Sequence, residues 1–428
     1  MSRKRRKKIN KKKIIIFITI VLILITSIIA ICYKINKDRI TELKQNTLKQ
    51  DIISHYNEFV ITNKESSIYE LNNNKYIEVG TIGKDEEITL DNIEVSYKDE
   101  YLKLTTFEEE YYIYYKDIDK TEKLSEQNDR YKKYIPFNKN VVTKDETNFY
   151  NEEGALIYSL PKSFDLPIIV NKKDTYGVEY NNRLLYVKKD DVSEIKENKN
   201  TDSKNTSGIA VLNYHFFYDT SISGDAAKCN QSICLSTTNL RKHLDYIKDN
   251  NIFTPSMKEL DMYIDGYIQL PKSVVLTIDD GWRAAVGSSV MTEYGINATV
   301  FLMSKYYDPQ KYRNEYIEVH SHGYDIHNPG ICPGGQGGAI KCLEKSKLLE
   351  DLKASQEKLG GTTVFCYPFY EYNNYSIEVL KEAGFTMAFG GYGEGGYYRV
   401  KPGINKFKLP RYVIYNSTSV SNIKNYIG

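Results

Sequence analysis

Three rhythms of apolar and polar positions run along the chain. Residues 14–32 (IIIFITIVLILITSIIAIC) are an unbroken apolar run of 19 residues with neither charge nor proline. At about 1.5 Å rise per residue, such a run just crosses a hydrocarbon layer of about 30 Å. From 57 to 195 the pattern changes to short, Tyr-rich apolar runs broken by Asn, Gly, Lys and Asp, as at 69–79 and 111–115. Short runs with frequent turn signals predict β-structure. From 208 onward, strand-length apolar runs recur at 208–215, 274–281, 298–303, 317–322, 362–368, 385–389 and 407–413. Between them, 237–250, 283–294, 345–359 and 376–383 carry helical 3.6-residue spacing, with Leu348, Leu352 and Leu359 on one face. Alternation of strand and helix predicts an α/β fold with a parallel sheet, open or closed into a barrel.

The chain therefore divides into a basic tail (1–13), a transmembrane helix (14–33), a polar helical stalk (34–56), a β-rich region (57–195), a linker (196–207) and an α/β domain (208–428). The linker, KENKNTDSKNTS, holds no apolar residue. Within the β-rich region, residues 112–118 (YIYYKDI) echo 185–192 (LYVKKDDV), and 67–69 loosely echo 148–150. Two small SH3-like modules would produce such a repeat.

Charge changes the picture little in sum and much in distribution. The net charge is +2, but residues 3–13 carry nine Lys and Arg and no acid; the remainder holds 49 basic residues against 56 acids, a balance of −7. The folded part thus has no basic excess for nucleic acid. Cations ahead of an apolar span hold that end on the cytoplasmic side and place everything after Tyr33 outside. A cleaved leader would have a shorter apolar run and a small-x-small site, for which Ile29-Ala30-Ile31 is a poor match.

Beyond Cys32 there are five cysteines, and no CxxC spacing of a zinc ribbon. Cys229 and Cys234, and Cys332 and Cys342, flank short loops rich in Gly, Asn or Ser; outside the cell these suit two local disulfides. The 38 tyrosines invite a sugar-stacking role, but the chain is equally rich in Ile, Lys and Asn, so a compositional bias explains them first.

Chemistry-bearing residues fall at the C-terminal ends of the apolar runs: His215, Asp279 and Asp280, His322 with His327 beyond it, Pro368, and Arg411. In a βα-barrel that rim is where sites are built. Asp280, His322 and His327 offer one carboxylate and two imidazoles, a donor set for Zn²⁺ or a similar divalent metal with a position left for water. His320 competes for the same role, lying on the same strand face as His322 by alternation. Asp279, pointing the other way, suits a general base, and His215 suits an acid for a leaving amine. Each has a plain alternative: a DDG turn, a structural His, a surface ion pair for Arg411.

These residues resemble the polysaccharide deacetylase family (NodB homology, carbohydrate esterase family 4) over about 208–415. Leu276-Thr277-Ile278-Asp279-Asp280-Gly281-Trp282 is similar to its TFDDG motif. The stretch 321–327 (SHGYDIH) is similar to its histidine pair, with a spacing of five that resembles the poly-N-acetylglucosamine branch and favours His322 and His327 over His320. Phe365-Cys366-Tyr367-Pro368-Phe369 resembles the third motif without its Arg, and Leu409-Pro410-Arg411 the segment whose Arg holds the catalytic Asp. No His follows His327; Tyr214-His215 stands where the permuted branch places its catalytic His, ahead of DDG. The resemblance implies a (β/α)7 incomplete TIM-like barrel, with Phe369 N–H at the oxyanion, and a cell-surface polysaccharide as substrate. Peptidoglycan, poly-N-acetylglucosamine, an O-acetyl ester, or mere wall binding by an inactive barrel are the competing readings.

Overall fold

The computed structural model describes residues 10–91, 97–98, 100–105, 109–122, 130–198, 207–391 and 398–428. Most of the basic tail and residues 199–206 of the expected linker lie outside these. Helix α1 runs unbroken through Lys11–His55, opened by the Asn10 side chain accepting from Lys12 N–H. Its apolar part is exposed and is long and apolar enough to cross a membrane.

The chain forms two compact units: Met1–Asn128 with Asp145–Lys162 and Tyr180–Arg183, and the remainder. In the first, Ser66–Asn72 and Lys75–Ile82 form a hairpin. Its turn is Asn73-Asn74 with φ 48° and 61°, the left-handed pair that Asn tolerates and that matches strand twist. Ile68, Ile82, Tyr111 and Ile113 are wholly buried in this unit. The sequence echo has a local counterpart. Tyr111–Tyr114 leads through a 3₁₀ turn at Tyr115–Asp117 into Ile118–Lys120. Arg183–Lys188 leads through Lys189–Asp191 into Val192–Glu197 in the same way.

Among the described residues, one sheet of the second unit is built on seven parallel strands: β1 (Ile209–Tyr214), β2 (Val274–Ile278), β3 (Ala298–Leu302), β4 (Ile317–Ser321), β5 (Val364–Cys366), β6 (Met387–Phe389) and β7 (Tyr412–Val413). Neighbours in sequence pair from β1 to β6, and β7 returns to β1 with Leu212 opposite Tyr412. A parallel bridge from Phe389 to Leu409 joins the other side, so the ring closes. Nearly every strand residue is buried, as expected where helices cover one face and side chains fill the other. The interior and its surround include Leu212, Leu276, Ile278, Val300 and Leu302, all fully buried.

Helices α2 (Thr237–Asp249), α3 (Met257–Ile264), α4 (Ala284–Glu293), α5 (Lys345–Lys358), α6 (Asn374–Glu382) and α7 (Val420–Ile427) complete the unit. Ser236 caps α2, and Ser256 with Glu259 forms a capping box on α3. The strands are shorter than the apolar runs that predicted them: β1 to β5 shed C-terminal residues that turn into the rim, and β6 and β7 begin later than their runs.

Candidate active site

Strand β2 ends at Ile278, and the next residues leave extended geometry at once. Asp279 N–H donates to Tyr214 O at 3.0 Å. Asp280 adopts φ 70° and Gly281 φ 97°. Aspartate is among the few residues other than glycine that tolerate the left-handed region. The turn splits the two carboxylates, sending one into the barrel and the other to its mouth.

Asp279 is buried, 1 % exposed, against Arg411 at 0 %. Arg411 Nη1 donates to Oδ1 at 2.8 Å and Nη2 to Oδ2 at 2.9 Å, a two-pronged contact. Its Nε donates to Gly390 O at 2.7 Å and Nη1 to Thr277 Oγ1 at 3.2 Å. Burial by itself would raise the Asp279 carboxyl; the guanidinium overrides it and holds the group below the usual carboxylate range. Arg411 is thus no surface ion pair. It does not end a strand run either: it lies between the Leu409 bridge and β7, because Pro410 has no N–H to give a ladder.

Asp280 Oδ1 lies 3.2 Å from His322 Nε2 and 3.3 Å from His327 Nε2. Burial pushes its carboxyl up, and the hydrogen bonds from both imidazoles hold it far below the usual range. His322 donates Nδ1–H to Cys366 O at 2.8 Å, which turns its Nε2 edge toward Asp280. The donor atoms of Asp280, His322 and His327 all fall within 4.8 Å of one another. Two imidazole nitrogens and one carboxylate oxygen converging this closely, with one ring already fixed in its tautomer, fit a divalent metal of the zinc type.

Asp279, His322 and Cys366 also come within that distance. That second group is no cation site, since the Arg411 guanidinium occupies it with Nη2 3.0 Å from Cys366 Sγ.

His320 is directed elsewhere: Nδ1 meets Thr362 Oγ1 at 2.7 Å and Nε2 approaches Glu318 at 3.8 Å. Alternation placed His320 beside His322, but β4 stops at Ser321 and Gly323 turns with φ 87°, so the two imidazoles diverge.

His215 follows β1 and is 9 % exposed, with Nε2 4.0 Å from Asp279 Oδ2. Burial pushes its imidazole below the ordinary value, against the pull of Asp279. Phe369, after β5, is left-handed at φ 59°, and its ring lies 4.3 Å from that of His327. Cys229 pairs with Cys234, and Cys332 with Cys342 at 2.18 Å. The loop closed by the second pair is tied down by Glu371, which accepts from Gly338 N–H at 2.7 Å and pairs with Lys341 at 2.9 Å.

Sequence reasoning missed three contributors. Cys366 Sγ lies 3.5 Å from Asp279 Oδ2; Tyr370 reaches His215; Asn213 receives the Tyr370 hydroxyl. Their only signal was proximity to positions already singled out: two residues ahead of His215 and two either side of Pro368.

Residues 268–388 match the family described as polysaccharide deacetylase. Among solved structures, a de-N-acetylase from Aggregatibacter actinomycetemcomitans is 22% identical, aligning 51% of this chain with 99% of that one at a TM-score of 0.44. IcaB from Ammonifex degensii is 20% identical over 52% of this chain and 97% of that one, TM-score 0.43. A polysaccharide deacetylase from Bacillus cereus is 16% identical over 69% and 92%, TM-score 0.43. No curated protein matches the chain.

Proposed function

We propose that this chain, which carries a polysaccharide deacetylase domain at residues 268–388, is a membrane-anchored, metal-dependent N-deacetylase of a cell-surface N-acetylglucosamine polymer. The observation that carries the reading is the meeting of Asp280 Oδ1 with two imidazole nitrogens at 3.2 and 3.3 Å, beside a second carboxylate gripped by a buried arginine. A surface ion cluster has no use for that second, solvent-free aspartate.

Asp280, His322 and His327 would hold the ion. When bound, a divalent metal polarises an acetamide carbonyl and acidifies water. Asp279, kept anionic by Arg411, accepts the proton of the attacking water as the new C–O bond forms. The Phe369 main-chain N–H is assigned to the oxyanion. His215 gives a proton to the sugar nitrogen as the C–N bond breaks, releasing acetate and a free amine. Helix α1 anchors the chain with its basic tail in the cytoplasm and the barrel outside.

Acetate release from chitin-type N-acetylglucosamine oligomers, poly-N-acetylglucosamine and peptidoglycan, by the full chain in detergent, tests this. Zinc-dependent acetate release, abolished in Asp279→Asn and His215→Ala, is expected. Full activity in either variant would refute the assignment. Release only from O-acetylated glycan would make the enzyme an esterase.

A further inference from the structure

Two consecutive residues at the rim, Phe369 and Tyr370, take left-handed backbone conformations at φ 59° and 62°. Glycine would hold either conformation without strain. Strain kept in the face of a simpler residue is a pointer to use of the side chain. Phe369 packs its ring on His327, and Tyr370 is the one whose side chain reaches His215. Its hydroxyl donates to Asn213 Oδ1 at 2.7 Å and lies 3.2 Å from His215 Nε2. Its ring covers the guanidinium of Arg411 at 5.4 Å. Space is made for it: a Cβ on Gly391 would fall 2.8 Å from Tyr370 Cγ.

The protons on this chain of atoms can be assigned by counting. Asn213 Nδ2 donates to Tyr214 O at 3.3 Å, so its Oδ1 is the atom turned to Tyr370. The single hydroxyl proton of Tyr370 goes to that oxygen. The Tyr370 oxygen can then only accept from His215, which requires the imidazole proton on Nε2. Nδ1 of His215 is buried and has no hydrogen-bond partner, consistent with a bare lone pair there. Nε2 is also the nitrogen 4.0 Å from Asp279, the side on which the chemistry takes place.

We infer that Tyr370, backed by Asn213, is a positioning residue: it fixes the ring of His215 with its resting proton on Nε2 and leaves Nδ1 free to take up a second, so that the imidazolium then formed gives its Nε2 proton to the leaving nitrogen and keeps the one on Nδ1. The inference rests on the deacetylase reading for its catalytic consequence, and on hydrogen-bond geometry alone for the tautomer.

The test is Tyr370→Phe in the full chain, which keeps the ring over Arg411 and removes the hydroxyl. At pH 8, with ¹⁵N-histidine labelling, the wild-type His215 should give the pattern of a protonated Nε2 and a bare Nδ1. Tyr370→Phe should give averaged nitrogen shifts of mixed tautomers. In acetate release, kcat should fall roughly ten- to a hundred-fold with KM within about two-fold, since part of a general acid's contribution is lost and binding is not. Unchanged nitrogen shifts overturn the proposal, whatever happens to the rate. Shifted tautomers with a wild-type kcat overturn its catalytic half. Should Asp279→Asn and His215→Ala retain activity, the deacetylase reading itself falls, and the nitrogen shifts still decide what Tyr370 does.

Discussion

Arg411 meets Asp279 with both terminal nitrogens, at 2.8 and 2.9 Å, with side chains 0 % and 2 % exposed. A carboxylate cannot stay ionised at such depth alone, and a guanidinium, which holds its proton at any working pH, is the partner best able to keep it so. The carboxylate and its counter-ion are therefore one unit, and neither can be changed without the other.

Replacing Arg411 by Met should strand that charge. Removing one partner of a buried pair costs about 3–5 kcal/mol. The sign with pH follows from the lowered Asp279 carboxyl: its contribution is present above the ordinary carboxylate value near 3.8 and is lost as pH falls through the lower folded value. Urea unfolding should show the Arg411→Met penalty in full at pH 7 and a smaller one in acid.

Zinc should raise the melting temperature of the wild type and leave Asp280→Ala unmoved. At a hundred-fold excess over Kd the gain is about 2.7 kcal/mol. A metal-ligating imidazole must be neutral, so the shift should shrink as pH falls and protons compete with the metal. Thermal melts with and without zinc at pH 7.5 and 5.5 check both points.

A histidine outside the site should govern acid stability. His243 donates Nε2–H to Thr418 O at 3.1 Å and accepts from the Tyr214 hydroxyl at 3.3 Å. Burial pushes its imidazole below the ordinary value of about 6.5. The unfolded chain binds a proton there first, so stability is whole above about pH 6.5 and falls as pH drops toward the folded value, by up to about 1.4 kcal/mol per unit. Guanidinium unfolding between pH 7.5 and 5.5 should be flatter in His243→Gln than in wild type.

Gly287→Ala sets two effects against each other in α4. Helix propensity favours alanine by about 1 kcal/mol. A Cβ there, however, would lie 2.3 Å from the Phe217 ring, which is fully buried. Overpacking of this kind costs about 1–3 kcal/mol, so net destabilisation is expected in the same unfolding assay.

Much of this was legible beforehand because the chemistry sits where periodicity changes. Asp279, Asp280 and His322 each stand at the edge of an apolar run, and a barrel gathers such edges on its rim; Arg411 comes instead from between the Leu409 bridge and β7. Helices α2, α4, α5 and α6 agree with their spacing to within a residue or two. The short α3 and α7, eight residues each, carry too few turns to declare a period. What failed did so through single backbone angles. The fate of His320 hung on where β4 stops, and the reach of Tyr370 on a left-handed bend that no pattern of side chains announces.

The closure of the barrel has a mechanical consequence. Its last strand offers Tyr412 and Val413 to β1, with Ile414 N–H to Asn213 O at 2.9 Å, and on the other side the join is the Leu409 bridge with Leu409 N–H to Ala388 O at 3.1 Å and Gly390 N–H to Leu409 O at 2.9 Å. This is the seam of the staves, the place where the wall would part first. Arg411 is set into that seam and reaches across to Asp279 at the end of β2, so the bond that keeps this carboxylate ionised is also the rivet that keeps the cask shut. Breathing of the wall and loss of that buried charge would then be a single event.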